Sequence, residues 1–279
     1  MSMSVQNTDT HYLNELCRQF RHEIVDILHR IQTGHPGGSL SACEIITTLY
    51  FREMNVDPKN PHWEDRDRFI LSKGHAAPIL YIALAEKGFF SREELVHLRQ
   101  MDHMLQGHPC AHKTPGVDLS SGPLGLGLSG AVGMAAAAKL QGKKHYVFVL
   151  TGDGEIQEGA IWEALMSASK FKLDNLVIIL DNNGVQLDGT IEEIMPMGDI
   201  PAKFRSFGCN VIEIDGHDID AVSDAIAKAK SYRGAPSVIV AKTIKGKGIS
   251  FMEGKNTWHG SPINDENYAI AKAELGGTK

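Results

Sequence analysis

Apolar positions along this chain repeat with two different periods, and the change from one to the other organises it. Between residues 11 and 33, Leu13, Leu16, Cys17, Phe20, Ile24, Ile27, Leu28 and Ile31 keep the three- and four-residue spacing of an amphipathic helix. Gly34-His35-Pro36-Gly37-Gly38 breaks that pattern, and Ser39 is placed to cap a second helix to about Phe51. Asp67 to Leu71 reads as a short strand, and Ser72-Lys73-Gly74-His75 as the turn into another helix. Residues 91–105 look helical, with Ser91 as the cap and Glu94 at the capping-box position. Residues 106–123 are rich in Gly, Pro and His and fit no regular element; so long an irregular stretch inside a compact domain points to function. Leu124 to Leu140 carries Gly125, Gly127, Gly130 and Gly133, as a helix needs if it packs very closely on a neighbour or a ligand. From residue 145, apolar runs at 145–150, 176–181, 210–215 and 237–242 alternate with helical stretches near 158–171, 201–207 and 218–230. That alternation predicts an α/β fold, a mostly parallel sheet with helices on both faces. No linker-like composition interrupts it, so residues 11–279 are expected to form a single domain behind a flexible tail at 1–10.

Composition narrows the class. A chain of 279 residues buries about three-quarters of its unfolded surface, enough for a full core. The net charge of -6, with Lys and Arg scattered, predicts no nucleic-acid partner. No apolar run approaches the ~20 residues that span a bilayer, and residues 1–10 lack the apolar stretch of a secretory signal. Cys17, Cys43, Cys110 and Cys209 are too far apart for a CxxC site, and free thiols suit a reducing compartment. A cytoplasmic location with no membrane contact is expected. Cys43 and Cys209 are assigned to the core, and Trp162 and Met166 to packing.

Two constellations carry chemistry. Asp153 sits in Thr151-Gly152-Asp153-Gly154-Glu155-Ile156-Gln157-Glu158-Gly159, directly after an apolar run, and Asn183 ends Asp181-Asn182-Asn183 after the next one. Ligands of open α/β sheets collect beyond the carboxyl ends of strands. A carboxylate and an amide oxygen there, with a nearby backbone carbonyl, suit magnesium or another hard divalent ion holding a diphosphate. The second constellation is four histidines in Gly- or Pro-framed loops: His35, His75, His108 and His259. Imidazole gives and takes protons near neutral pH, and loops on a rigid scaffold are where such groups concentrate. His112 shares the loop of His108 and stays open. The remaining histidines read as surface or helix-face residues, and Lys242, Lys245 and Lys247 as a solvated face or partner surface rather than phosphate ligands.

Together these segments resemble the N-terminal, diphosphate-binding half of a transketolase, from about residue 12 to 265. The resemblance rests on Gly34 to Gly38, Ser72 to Ala76, Gly107-His108-Pro109, Pro115-Gly116-Val117, Ser121-Gly122-Pro123-Leu124-Gly125, the Gly-Asp-Gly segment and Trp258-His259-Gly260. It implies the thiamine-diphosphate-binding fold, with thiamine diphosphate and magnesium as cofactors. Asp153, Asn183 and the Val185 carbonyl would hold the ion, and the Gly154 backbone would meet the diphosphate. His75 and His259 would lie near the diphosphate and the reacting carbon, and His35 and His108 would contact the hydroxyls of the donor ketose. Gly122 and Leu124 would line the face of the cofactor. Glu158 would join a carboxylate network across a dimer interface.

Two departures matter. The family commonly has Asp-Asp-Asn where this chain has Asp181-Asn182-Asn183-Gly184, so the following loop is expected to be more mobile, and Glu155-Ile156 alters the surroundings of the ion but not its ligands. A full transketolase also continues into a pyrimidine-binding domain and a third domain, whereas this chain stops at Lys279. A split enzyme is therefore expected: a transferase moving a two-carbon ketol unit between sugar phosphates, self-associating across a dimer interface, and active as a heterotetramer with a C-terminal partner subunit. The competing expectations are a component resembling deoxyxylulose-phosphate synthase or a 2-oxo acid dehydrogenase, a transketolase variant for an unusual catabolic ketose, and a non-catalytic regulatory subunit.

Overall fold

The computed structural model of the chain describes residues 8–276, so residues 1–7 of the expected tail lie outside it. The first helix, α1 (Thr10–Ile31), begins inside that expected tail because Asp9 caps it, its carboxylate accepting the His11 N–H at 2.8 Å. Five strands follow the short strand expected near residue 67 and the four later apolar runs: β1 (Arg68–Leu71), β2 (Val147–Gly152), β3 (Leu176–Asn182), β4 (Asn210–Asp215) and β5 (Ser237–Lys242). They form one sheet in the order β1-β2-β3-β5-β4, and every pairing is parallel. The fold is thus the α/β arrangement that the alternating pattern predicts.

Side-chain alternation along these strands builds two cores. Phe148, Leu150, Val177 and Ile179 face one layer, with α1, α3 (Cys43–Thr48), α4 (Ala77–Lys87) and α9 (Ile219–Ser231). Val147, Val149, Ile178 and Leu180 face the other, with α5 (Leu126–Leu140), α6 (Gly159–Lys170), α7 (Ile191–Ile194) and α8 (Ile200–Ser206). Each such side chain is essentially inaccessible to water and contributes roughly 1.5–3 kcal/mol, so both faces of the sheet are committed. Cys43 and Cys209 are core residues as expected. Trp162 packs against Phe204 and Phe207 and donates its indole N–H to the Ile156 carbonyl. Met166 is 57% exposed and is not a packing residue within the described chain.

Two expected helices take different forms. The helix expected from Ser39 starts earlier, as α2 (Pro36–Ser41), because Pro36 is pre-set for a first turn that needs no N–H. Gly37 and Gly38 do not break it: a Cβ on Gly37 would lie 2.7 Å from the Trp258 carbonyl, so glycine there permits a close approach. The chain pauses at Ala42, resumes as α3 and ends in a π-turn at Leu49–Glu53. The helix expected over 91–105 is only a 3-10 segment, Arg92–His97, capped by Ser91. Glu94 pairs with His103 instead of closing a capping box, and Arg99 and Asp102 take left-handed backbone angles that no helix continues through. Residues 106–123 are irregular throughout, as expected.

Candidate functional site

The carboxyl ends of β1, β2, β3 and β5 open onto one cavity of about 350 Å³. All eleven residues singled out from the sequence line it: His35, His75, His108, Gly122, Leu124, Asp153, Gly154, Glu158, Asn183, Val185 and His259. They arrive on separate elements. Asp153 and Gly154 follow β2, Asn183 and Val185 follow β3, His75 lies in the turn after β1, and Glu158 caps α6. His35 caps α2, and His259 ends the 3-10 segment Asn256–His259.

Asp153 is 2% exposed. Its Oδ1 accepts the Gly154 N–H at 2.8 Å and its Oδ2 the Gly184 N–H at 2.5 Å, which ties the end of β2 to the loop after β3. Burial and then the neighbouring Asp181 push its carboxyl up to about 6. Asn183 Oδ1 accepts the Val185 N–H at 3.1 Å, and the Val185 carbonyl accepts from Lys245 Nζ at 3.1 Å. Val185 also bridges to Thr190, so the loop after β3 is braced by backbone pairing. Carboxylate, amide and carbonyl oxygens, with no thiolate or imidazole among them, fit a hard divalent ion. The buried carboxylate, held high for want of a compensating charge, fits it too. No cluster of three His, Cys, Asp or Glu side chains suited to a metal occurs among the described residues.

The four histidines share the cavity wall. Ring centroids lie 4.8 Å apart for His75 and His259, 5.4 Å for His35 with each of those two, and 6.3 Å for His35 and His108. Every one titrates below the ordinary imidazole range. Burial and then Arg99 bring His35 down to about 4; burial and then Lys245 bring His259 down to about 3. Burial and Lys73 hold His75 well below its usual value, and burial and Arg99 lower His108. At neutral pH the cavity therefore presents neutral imidazoles, each with one N–H donor and one acceptor.

Several residues below these were not anticipated. Lys73, 2% exposed, donates to Asp181 and, at 3.1 Å, to the Gly38 carbonyl. Asp181 is fully buried and also accepts the hydroxyls of Ser41, at 2.5 Å, and Thr243. Burial alone would raise its carboxyl, but the Lys73 ammonium holds it below the usual range. Glu155, equally buried, accepts Ser72 Oγ at 2.5 Å, the Gly125 N–H at 2.9 Å and the Gly152 N–H at 3.1 Å. It thus fastens the loop of Gly122 and Leu124 to the Asp153 turn. Lys245 corrects the expectation of a solvated lysine: it is 2% exposed, donates to Val185 and lies 2.9 Å from His259 Nδ1. Burial and then Lys73 lower it to about 8. The signal available for Lys73 and Lys245 was only their position just beyond an apolar strand.

Residues 13–279 match the family described as transketolase, thiamine diphosphate binding domain. A 6-deoxy-6-sulfo-D-fructose transketolase subunit from Clostridium sp. (strain MSTE9) is 44% identical over 273 residues, 98% of each chain. An apulose-4-phosphate transketolase subunit from Actinobacillus succinogenes is 46% identical over 242 residues, 87% of each. Human transketolase is 44% identical over 235 residues, 83% of this chain but 37% of its own length. The crystal structure of transketolase from Campylobacter jejuni superposes with a TM-score of 0.90 at 34% identity, covering 97% of this chain and 43% of that one.

Proposed function

From its membership of the transketolase family, to which this chain belongs through its thiamine diphosphate binding domain, we propose that it is one subunit of a split transketolase. Residues 11–279 form the single diphosphate-binding domain. A C-terminal partner subunit supplies the pyrimidine-binding part, two copies of each making a heterotetramer in the cytoplasm. The observation that carries the reading is the convergence of the Asp153 turn and four neutral histidines on one cavity.

Asp153 Oδ, Asn183 Oδ1 and the Val185 carbonyl would hold magnesium, and the Gly154 backbone and Lys245 would meet the diphosphate. Thiamine diphosphate supplies, when bound, the carbon nucleophile that accepts a two-carbon ketol unit. The chain's own residues bind and orient. His35 and His108 position donor hydroxyls, and His75 and His259 hold protons beside the reacting carbon. With lowered pKa values they stay neutral, so each gives a proton from one ring nitrogen and accepts at the other. Gly122 and Leu124 cover the cofactor face. Glu158, exposed at the rim, joins the carboxylate network of a dimer interface. Leu124 and Leu187 on the cavity rim are 40% and 57% exposed, and Leu126 and Met166 on the adjoining α5 and α6 are 56% and 57%. Apolar exposure beside a polar cavity suits a surface that a partner covers.

The chain mixed with its partner subunit, thiamine diphosphate and magnesium should transfer a ketol unit from a ketose phosphate to an aldose phosphate. A well-folded complex with no transfer from any ketose phosphate or from 6-deoxy-6-sulfofructose sinks the reading. Asp153→Ala should abolish cofactor retention, measured by ultrafiltration; retention unchanged would place the ion elsewhere. The relatives that match this chain over most of their own length are named for uncommon ketoses, which favours a donor of that kind. Comparing kcat/KM for xylulose 5-phosphate with 6-deoxy-6-sulfofructose and apulose 4-phosphate decides it.

A further inference from the structure

His35 is held by a residue outside the strand-end motifs. Arg99 Nη2 lies 3.2 Å from His35 Nδ1, and Nη1 lies 3.5 Å from the hydroxyl of Thr33, two residues earlier. A guanidinium has donors only, so the contact with His35 is a hydrogen bond only when Nδ1 carries no proton. The ring proton of the neutral imidazole then resides on Nε2. We infer that Arg99 is a positioning residue that locks His35 as the neutral Nε2–H tautomer, so that this wall of the cavity offers a proton donor to a ligand oxygen. That the oxygen is a donor-sugar hydroxyl rests on the function proposed above; the lock does not.

Three further observations support it. Arg99 is one of four non-glycine residues with a left-handed backbone among the described residues, at φ 65°, a conformation of modest cost that persists only where the surroundings enforce it. Its N–H, bonded to the Leu105 carbonyl at 2.8 Å, holds that bend. A Cβ on Gly107 would sit 3.2 Å from the guanidinium carbon, so glycine just before His108 leaves the arginine its place. The groups facing His35 are Arg99, His108, Lys245, His75 and His259, and the two that are charged at neutral pH are both cations. They disfavour the imidazolium, which like the Nδ1–H tautomer would lose the Arg99 bond, in agreement with the lowered pKa of His35.

The test is ¹⁵N NMR of the full chain labelled in histidine, with His35→Gln identifying the His35 signals. At pH 7 the wild type should show Nδ1 unprotonated and Nε2 protonated. Arg99→Met should populate the other tautomer and raise the His35 pKa by at least about one unit, as expected when a neighbouring cation is removed. A protonated Nδ1 in the wild type overturns the lock, and this holds even if the variant fails to fold. Unchanged His35 signals and pKa in Arg99→Met overturn it as well. In the complete complex, Arg99→Met should lower kcat/KM about tenfold, the loss of some 1.4 kcal/mol of orientation, and move the acid limb of the pH profile upward. A merely structural arginine would leave that limb in place. The predicted tautomer in a complex that transfers no ketol unit supports the lock and fails the functional reading.

Discussion

Replacing Lys73 with Met removes a charge from the floor of the cavity while keeping most of the stem. The side chain of Lys73 is 2% exposed and that of Asp181 0%, so neither charge is relieved by water. Without the ammonium, the Asp181 carboxylate keeps only the hydroxyls of Ser41 and Thr243, and the Gly38 carbonyl loses its donor. Breaking a buried pair from one side costs about 3–5 kcal/mol, a large share of the roughly 5–15 kcal/mol that holds a domain folded. Removing both charges is different, because no unpaired charge is left in the interior. Lys73→Met/Asp181→Asn should therefore lie within about 1.5 kcal/mol of wild type, giving a coupling of at least about 2 kcal/mol. Urea unfolding followed by far-UV circular dichroism, without cofactor so that binding does not mask the loss, measures all four members of the cycle. A single-variant loss under about 1 kcal/mol, or losses that simply add, would refute the reasoning.

Other outcomes follow from the same geometry. Gly127→Ala should destabilise by about 1–3 kcal/mol although alanine favours helix, because the new Cβ would lie 2.3 Å from Ser72 Oγ and 2.8 Å from its Cα. Gly133→Ala on the same helix meets nothing within 4 Å and should stabilise by roughly 0.5–1 kcal/mol; equal signs in thermal melts would contradict the close packing of α5 on Ser72. His35 and His259, lowered to about 4 and 3, bind fewer protons folded than unfolded, so their contribution is present above pH 6.5 and is lost as pH falls toward 4. Asp153, raised to about 6, acts in the opposite sense below pH 6 with one proton. Urea midpoints should still fall between pH 7 and 5, and His259→Asn should flatten that fall; identical slopes would be contrary evidence. Of the four thiols, Cys17, Cys43 and Cys209 are buried and raised by that burial, whereas Cys110 is half-buried, so a thiol reagent should label one cysteine per native chain, counted by mass spectrometry.

What the sequence made legible follows from how local each signal is. The strands were readable because a parallel strand covered on both faces must be apolar at nearly every position, as 147–150 and 176–180 are. The Asp153 turn and the four histidine loops were readable because glycine and proline mark where backbone leaves the scaffold. Lys245 was misplaced because nothing local distinguishes a lysine on a solvated loop from one folded under His259; the difference is made by the loop of Val185, sixty residues away. Arg99 was missed for the same reason, since its partner His35 lies 64 positions earlier. The expected helix over 91–105 failed because periodicity carries no information about the left-handed bends at Arg99 and Asp102 that aim this segment at the cavity.

The strand order has a consequence for how the molecule comes to exist. Although β4 precedes β5 in the chain, among the described residues it pairs only with β5, which inserts between it and β3. During synthesis β4 has no neighbour to join, and the flank of β3 stays open, until the last strand emerges. Lys245 and His259 lie beyond that strand, so the wall they form is the last to close. Pairings this distant along the chain slow folding and prolong the time in which open strand edges are accessible to other chains. Ribosome-bound chains ending before Ser237 should therefore be protease-sensitive around residues 210–215, and protection there should appear only once β5 has left the exit tunnel.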